Sequence, residues 1–257
     1  QGNLFEYKIT ETATVPGFKD PVYTYNDTLG YVVTNKYIIP TTGTATAKKV
    51  FDLGENAAKP DVWFQLWRKT DTGTREKVPG LDPIKINDYA GYEYTFTGLE
   101  QTDFDANPYT FFVVEGSYDD TDFTPGDPLN YELTTIGDSL TLTNRYVIPT
   151  TGTATATKTW VNGPDTKPDV WFQLHRKTAG GNWSAVPGAA IQKVPDFNPD
   201  TPDAALTVSW SGLEATDENG NAYAFAVEEG IYDEANDAFT PGAPLHYTAE
   251  GRMSLGI

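Results

Sequence analysis

Along most of this chain apolar and polar side chains alternate one by one, the period that a half-buried strand imposes. In "TATAKKVF", Ala45, Ala47, Lys49 and Phe51 share one face, and Thr44, Thr46, Lys48 and Val50 share the other. In "YTFFVVEG" the apolar set is Tyr109, Phe111, Val113 and Glu115; in "LTLTNRY" it is Leu140, Leu142, Asn144 and Tyr146. No long segment places apolar residues at three- and four-residue spacing, and Gly and Pro interrupt the runs at short intervals. The pattern predicts an all-β chain of short strands joined by turns.

The strands recur. "TNKYIIPTTGTATA" from Thr34 returns as "TNRYVIPTTGTATA" from Thr143, 109 positions on, and "KPDVWFQLWRK" from Lys59 returns as "KPDVWFQLHRK" from Lys167. "FTGLE" and "FTPGDPL" return as "WSGLE" and "FTPGAPL". Two copies of one unit therefore cover 41–149 and 150–257, while residues 1–40 match only the second half of a unit. A unit of this length, built of short strands, reads as a β-sandwich and not as a solenoid turn. The brief junction "IPTTGT" sets consecutive units close together, so each repeat has its neighbours as partners.

Each apolar face carries a polar misfit at the same place in every copy. The first strand holds Lys49 and, in the last unit, Lys158. A later strand holds Glu115, Glu229 and, in the half-unit beside Phe5, Tyr7 and Ile9, Glu11. The closing strand holds Asn35 and Asn144. Lys and Glu are seldom buried unless paired. One reading is a buried Lys–Glu ion pair with Asn hydrogen-bonded beside it, a weak stabiliser because desolvation offsets the Coulomb gain. The other is chemical: a desolvated lysine is a better nucleophile, a desolvated glutamate holds a proton more readily, and the amine can attack the Asn side-chain amide. Ammonia leaves, and a neutral isopeptide bond replaces the buried charges.

Composition narrows the function. The 257 residues carry a net charge of -18, which argues against nucleic acid as a partner and suits a well-solvated surface. With no cysteine, covalent reinforcement outside a cell has to come from something other than disulfides. No secretory leader, bilayer-spanning run or lipidation motif is seen, so no membrane insertion is expected of these residues.

The order of "KVF" and "KTW", "VWFQL", "FTGL" and "WSGL", "FFVVE" and "FAVEE", then "LTNRY" resembles tandem CnaB-type domains, the stalk modules of Gram-positive surface adhesins and pilins. The resemblance implies tandem prealbumin-like or Ig-like sandwiches, located on the cell surface, in which Lys and Asn of the first and last strands bond autocatalytically. It gives Lys49 as nucleophile, Asn144 as electrophile and Glu115 as proton shuttle, with no cofactor, no metal and no turnover enzyme activity. Residues 1–40 are then the C-terminal half of such a repeat, 41–149 a complete one, and 150–257 one lacking its last strand. The half-unit has Glu11 and Asn35 without a lysine strand; the last unit has Lys158 and Glu229, and the spacing from Pro244 puts its Asn at 258–260. An array cut out of phase, a lost bond, or a head-to-tail association of chains through Asn35 and Lys158 would each account for this.

The rival reading is a module that binds a glycan or matrix protein through outward Trp63, Trp67 and Trp171, or through its acidic loops. Packing is the commoner use of such tryptophans. "TDENGNAY" and "YDDTDFTPGD" lack the spacing of an EF-hand and read as turns. His175 and His246 are too scattered for a zinc site or triad and are expected at the surface.

Overall fold

The structure, a computed structural model, describes residues 2, 5–200, 206–248 and 254–255. It is nearly all β, as the alternation predicts. The strands are β1 (Val22–Asn26), β2 (Gly30–Thr34), β3 (Gly43–Asp52), β4 (Trp63–Lys69), β5 (Glu76–Lys77), β6 (Ile84–Lys85), β7 (Glu93–Leu99), β8 (Thr110–Tyr118), β9 (Phe123–Pro125) and β10 (Tyr131–Leu133). They continue with β11 (Thr141–Tyr146), β12 (Gly152–Thr157), β13 (Trp171–Lys177), β14 (Ser184–Ala185), β15 (Gln192–Lys193), β16 (Thr207–Leu213), β17 (Ala224–Asp233), β18 (Ala238–Pro241) and β19 (Ser254–Leu255). Two 3-10 turns, Ile86–Asp88 and Ala90–Tyr92, precede β7.

The chain divides into two compact units. The first comprises Gln1–Val50, Pro60–Pro128 and Leu133–Asn144; the second comprises Phe51–Lys59, Leu129–Glu132 and Arg145–Ile257. Within the second, the Gly54 and Asn56 N–H groups donate to the carbonyls of Glu218 and Asn219, and the hydroxyls of Tyr146 and Thr216 meet at 2.9 Å.

Two sheets build the sandwich around the 41–149 repeat. One has the order β10-β11-β3-β7; the other is β5-β4-β8-β9, with β6 also on β4. Both contribute fully buried apolar residues, Ala45, Ala47, Phe96 and Leu99 from one and Phe64, Leu66 and Val113 from the other, as a two-layer core requires. In the second unit β12 pairs with β16, while β13 pairs with β14, β15 and β17. One buried cluster draws on both of those sheets, with Ala154, Ala156, Val208 and Trp210 against Phe172, Leu174 and Phe225.

The recurring glycine of "TTGT" has a packing reason. Pairing of β3 with β7 shifts register between Gly43 and Ala45, and pairing of β12 with β16 shifts between Gly152 and Ala154. A Cβ on Gly43 would stand 2.8 Å from the Leu99 carbonyl oxygen, and one on Gly152 2.8 Å from that of Leu213. Backbone cannot yield as a side-chain tip can, so Gly43→Ala is expected to cost about 1–3 kcal/mol. Equilibrium urea unfolding of the variant measures it.

The half-unit differs from its expected form in one strand. β1 and β2 make an antiparallel hairpin, Tyr25 opposite Tyr31, around a turn in which the Asn26 side chain accepts from the N–H groups of Thr28 and Leu29. The run from Phe5 to Glu11 belongs to no strand, with Phe5 85% and Tyr7 73% exposed. Its counterpart β8 is held between β4 and β9. Alternation marks a chain's capacity to form a strand; a neighbour must still satisfy its backbone groups.

Candidate functional site

Three strands bring the misfits together. On β3 the burial alternates without a break from Gly43 to Lys49, so the lysine follows Ala45 and Ala47 into the interior. β11 turns Leu142, Asn144 and Tyr146 inward. β8 sets Glu115 opposite Phe64 on β4, a residue with no exposed surface. Lys49 is 1%, Glu115 4% and Asn144 0% exposed.

The three side chains close a ring. Lys49 Nζ donates to Glu115 Oε2 at 2.5 Å and to Asn144 Oδ1. Asn144 Nδ2 donates to Glu115 Oε1 at 2.6 Å. The carboxylate thus holds the amine with one oxygen and the amide nitrogen with the other. This is the position from which a proton can pass between them.

Burial pushes the Lys49 ammonium below its ordinary value of 10.5, opposed by the charges of Glu115 and Asp127. A lowered value leaves more of the amine neutral and nucleophilic near neutral pH. Because that shift is downward, the rate of amide formation in freshly folded chain is expected to rise with pH and to level off before pH 10.5. Intact mass followed after pH-jump refolding tests this.

The other two sets are each short of one member. Lys158 Nζ donates to both oxygens of Glu229, at 2.8 and 2.9 Å, and lies 4.4 Å from the centre of the Trp160 ring. These two side chains are 13% and 14% exposed, against 0% and 3% for Lys49 and Glu115. In the half-unit, Asn35 Nδ2 donates to Glu11 Oε1 at 3.1 Å. Glu11 Oε2 and Asn35 Oδ1 are buried and have no hydrogen-bond partner among the described residues.

The tryptophans lie half-buried against other side chains. Trp63 meets the Tyr118 ring edge-on at 5.2 Å, Trp67 tilts against Phe112 at 6.4 Å, and Lys193 stands over Trp171 at 5.8 Å. In "TDENGNAY" the Asp217 carboxylate is engaged by the N–H groups of Asn219 and Asn221 and by Asn221 Nδ2, each at 2.9 Å. Asp119 likewise accepts from the N–H groups of Thr121 and Asp122. Among the described residues no group of three His, Asp or Glu could hold a metal ion. His246 is exposed, but His175 is half-buried beside Glu228 at 3.3 Å, because its strand is central and its neighbour on β17 is acidic.

A second recurring polar set escaped the face-sorting. Arg68 is 6% exposed; its guanidinium donates to Glu76 and Glu100 and stacks 4.1 Å from the Tyr109 ring centre. Arg176, Glu214 and Tyr223 repeat the arrangement, at 2.6 and 4.2 Å. The signal was present: Arg68 continues the apolar face of Val62, Phe64 and Leu66, Arg176 that of Val170, Phe172 and Leu174, and "GLE" recurs with both.

No family model matches the chain. Over 89 residues, 35% of its length, it is 30% identical to a collagen adhesin of Staphylococcus aureus, and it spans 7% of that protein. Among solved structures, the pilus adhesin SpaC from Lactobacillus rhamnosus GG aligns over 90% of this chain and 27% of its own, at 11% identity and a TM-score of 0.32. The sequence similarity to the collagen adhesin agrees with the resemblance to Gram-positive CnaB-type adhesin repeats.

Proposed function

We propose that this chain is a stalk segment of a bacterial surface adhesin or pilus-like fibre, in which the 41–149 repeat is closed by a self-made amide bond between Lys49 and Asn144. The observation that carries the reading is the buried ring of Lys49, Glu115 and Asn144. The neutral amine attacks Asn144 Cγ, forming the Nζ–Cγ bond. Glu115 takes a proton from Nζ and delivers one to Nδ2; the Cγ–Nδ2 bond then breaks and ammonia leaves. Each site reacts once, with itself, so the chemistry completes the fold and turns over no substrate. The similarity to a collagen adhesin supports a cell-surface setting.

The mechanical consequence follows from position. Lys49 sits near the end of β3, and Asn144 lies on β11, 95 residues later. With the two bonded, tension passes from one strand to the other through covalent bonds, and the intervening chain stays folded. Single-molecule pulling from the termini tests this. Wild-type chain should fail to release the roughly 330 Å of contour length stored between the two residues. Asn144→Ala should release it, and equal extension of the two would sink the stalk reading.

A further inference from the structure

Arg68 and Arg176 take no part in the Lys49 ring, yet each holds both ends of the same kind of loop. The loops "TDFDANPY" (102–109) and "TDENGNAY" (216–223) share the pattern T-D-x-x-x-N-x-Y. Arg68 donates to Glu100, two residues before the first loop, and stacks on Tyr109, its last residue. Arg176 does the same with Glu214 and Tyr223. Inside each loop an aspartate gathers N–H groups: Asp103 those of Asp105 and Asn107, Asp217 those of Asn219 and Asn221. With these amides turned onto a carboxylate, such a loop has its carbonyls to offer a partner.

The second compact unit uses those carbonyls. It takes Phe51–Lys59 and the residues from Arg145 to Pro149 out of the 41–149 repeat and joins them to the next. The carbonyls of Glu218 and Asn219 accept from the Gly54 and Asn56 N–H groups at 2.9 and 2.8 Å, and Asn56 Nδ2 donates to Asn221 Oδ1 at 3.0 Å. Lys59 holds the receiving loop closed, donating to the Gly54 carbonyl and to the Tyr131 hydroxyl. Beside it the hydroxyls of Thr216 and Tyr146 meet, and the Ala215 N–H donates to the Pro149 carbonyl at 2.8 Å. The first unit repeats this last pair of contacts: Thr102 meets the Tyr37 hydroxyl at 3.2 Å, and the Gln101 N–H donates to the Pro40 carbonyl at 2.8 Å. Tyr37 and Pro40 hold the places in "TNKYIIP" that Tyr146 and Pro149 hold in "TNRYVIP". We infer that the T-D-x-x-x-N-x-Y loop is a plug by which each repeat grips the end of the repeat before it, and that Arg68 and Arg176 are positioning residues that hold the plug at both ends. The plug deepens the stalk reading and takes its purpose from it, but none of its contacts involves Lys49, Glu115 or Asn144.

Amide hydrogen exchange of the whole chain, resolved by NMR, tests this, because the Gly54 and Asn56 N–H groups lie in one repeat and their acceptors in the next. Both amides are expected to be protected in the wild-type chain. Arg176→Met keeps an apolar stem and removes the contacts to Glu214 and Tyr223. It should speed exchange at Gly54 and Asn56 by about tenfold or more while β13 stays protected. Gly220→Ala reads the plug itself: the added Cβ would stand 2.4 Å from the Ala57 backbone nitrogen, and exchange at the same two amides should rise again. Fast exchange at both amides in the wild-type chain, or protection unchanged in Gly220→Ala, overturns the plug. Protection unchanged in Arg176→Met, or lost throughout β13, overturns the role given to the arginines and leaves them core residues. Intact mass of the same samples reports the Lys49–Asn144 bond, so failure of the bond and failure of the plug are read separately.

Discussion

Asn144→Ala is expected to retain its ammonia and to melt on the order of 20 °C below the wild-type protein. The drop comes from chain entropy. A crosslink spanning 95 residues removes loop-closure freedom from the unfolded chain. For a covalent link of that span the loop model gives about 4–5 kcal/mol. The variant is chosen because it leaves the Lys49–Glu115 ion pair in place, so no buried charge loses its partner. Removing Lys49 instead would strand Glu115 and mix that cost with loss of the bond. Thermal unfolding by circular dichroism measures the drop; a fall of only a few degrees would mean that the polar ring stabilises without a bond.

Glu115→Gln should leave Lys49 and Asn144 in contact but slow their joining by about 10²–10⁴-fold, the usual worth of a positioned acid–base group. Gln can still accept from Asn144 Nδ2, yet it cannot carry a proton from Nζ to the leaving nitrogen. The variant is therefore expected to fold, to be isolated with both ammonia and amine intact, and to crosslink only on long standing. Quenched refolding read by intact mass gives the rate. Wild-type speed in Glu115→Gln would remove Glu115 from the chemistry and leave it a hydrogen-bonding role.

Much of this was written in the alternation of the chain. Lys49, Glu115 and Asn144 each interrupt an apolar face, and strand period alone sends them inward; all three are buried together. The two-layer fold followed from short strands and turn residues, and the recurring glycine of "TTGT" marks the close approach of β3 to β7. What was not legible depended on neighbours distant in sequence. Phe5, Tyr7 and Ile9 alternate as well as Tyr109, Phe111 and Val113 do, yet they form no strand, because among the described residues no strand pairs with their backbone. His175 is drawn half inside by its central strand. The period of β4 sends Arg68 inward with Phe64 and Leu66, but its partners Glu76, Glu100 and Tyr109 come from other segments and are not disclosed by that period. Asp127, outside the strands that carry the three misfits, adds its charge to Lys49 for the same reason.

Whether Lys49 and Asn144 are joined is read from the intact mass of the purified chain under denaturing conditions. The expected mass is one ammonia below that of the sequence, with the deficit abolished by either Lys49→Ala or Asn144→Ala and a branched Lys49–Asn144 peptide after proteolysis. A full-length mass equal to that of the sequence would contradict it and leave the buried ring as an ion pair and an amide held by hydrogen bonds.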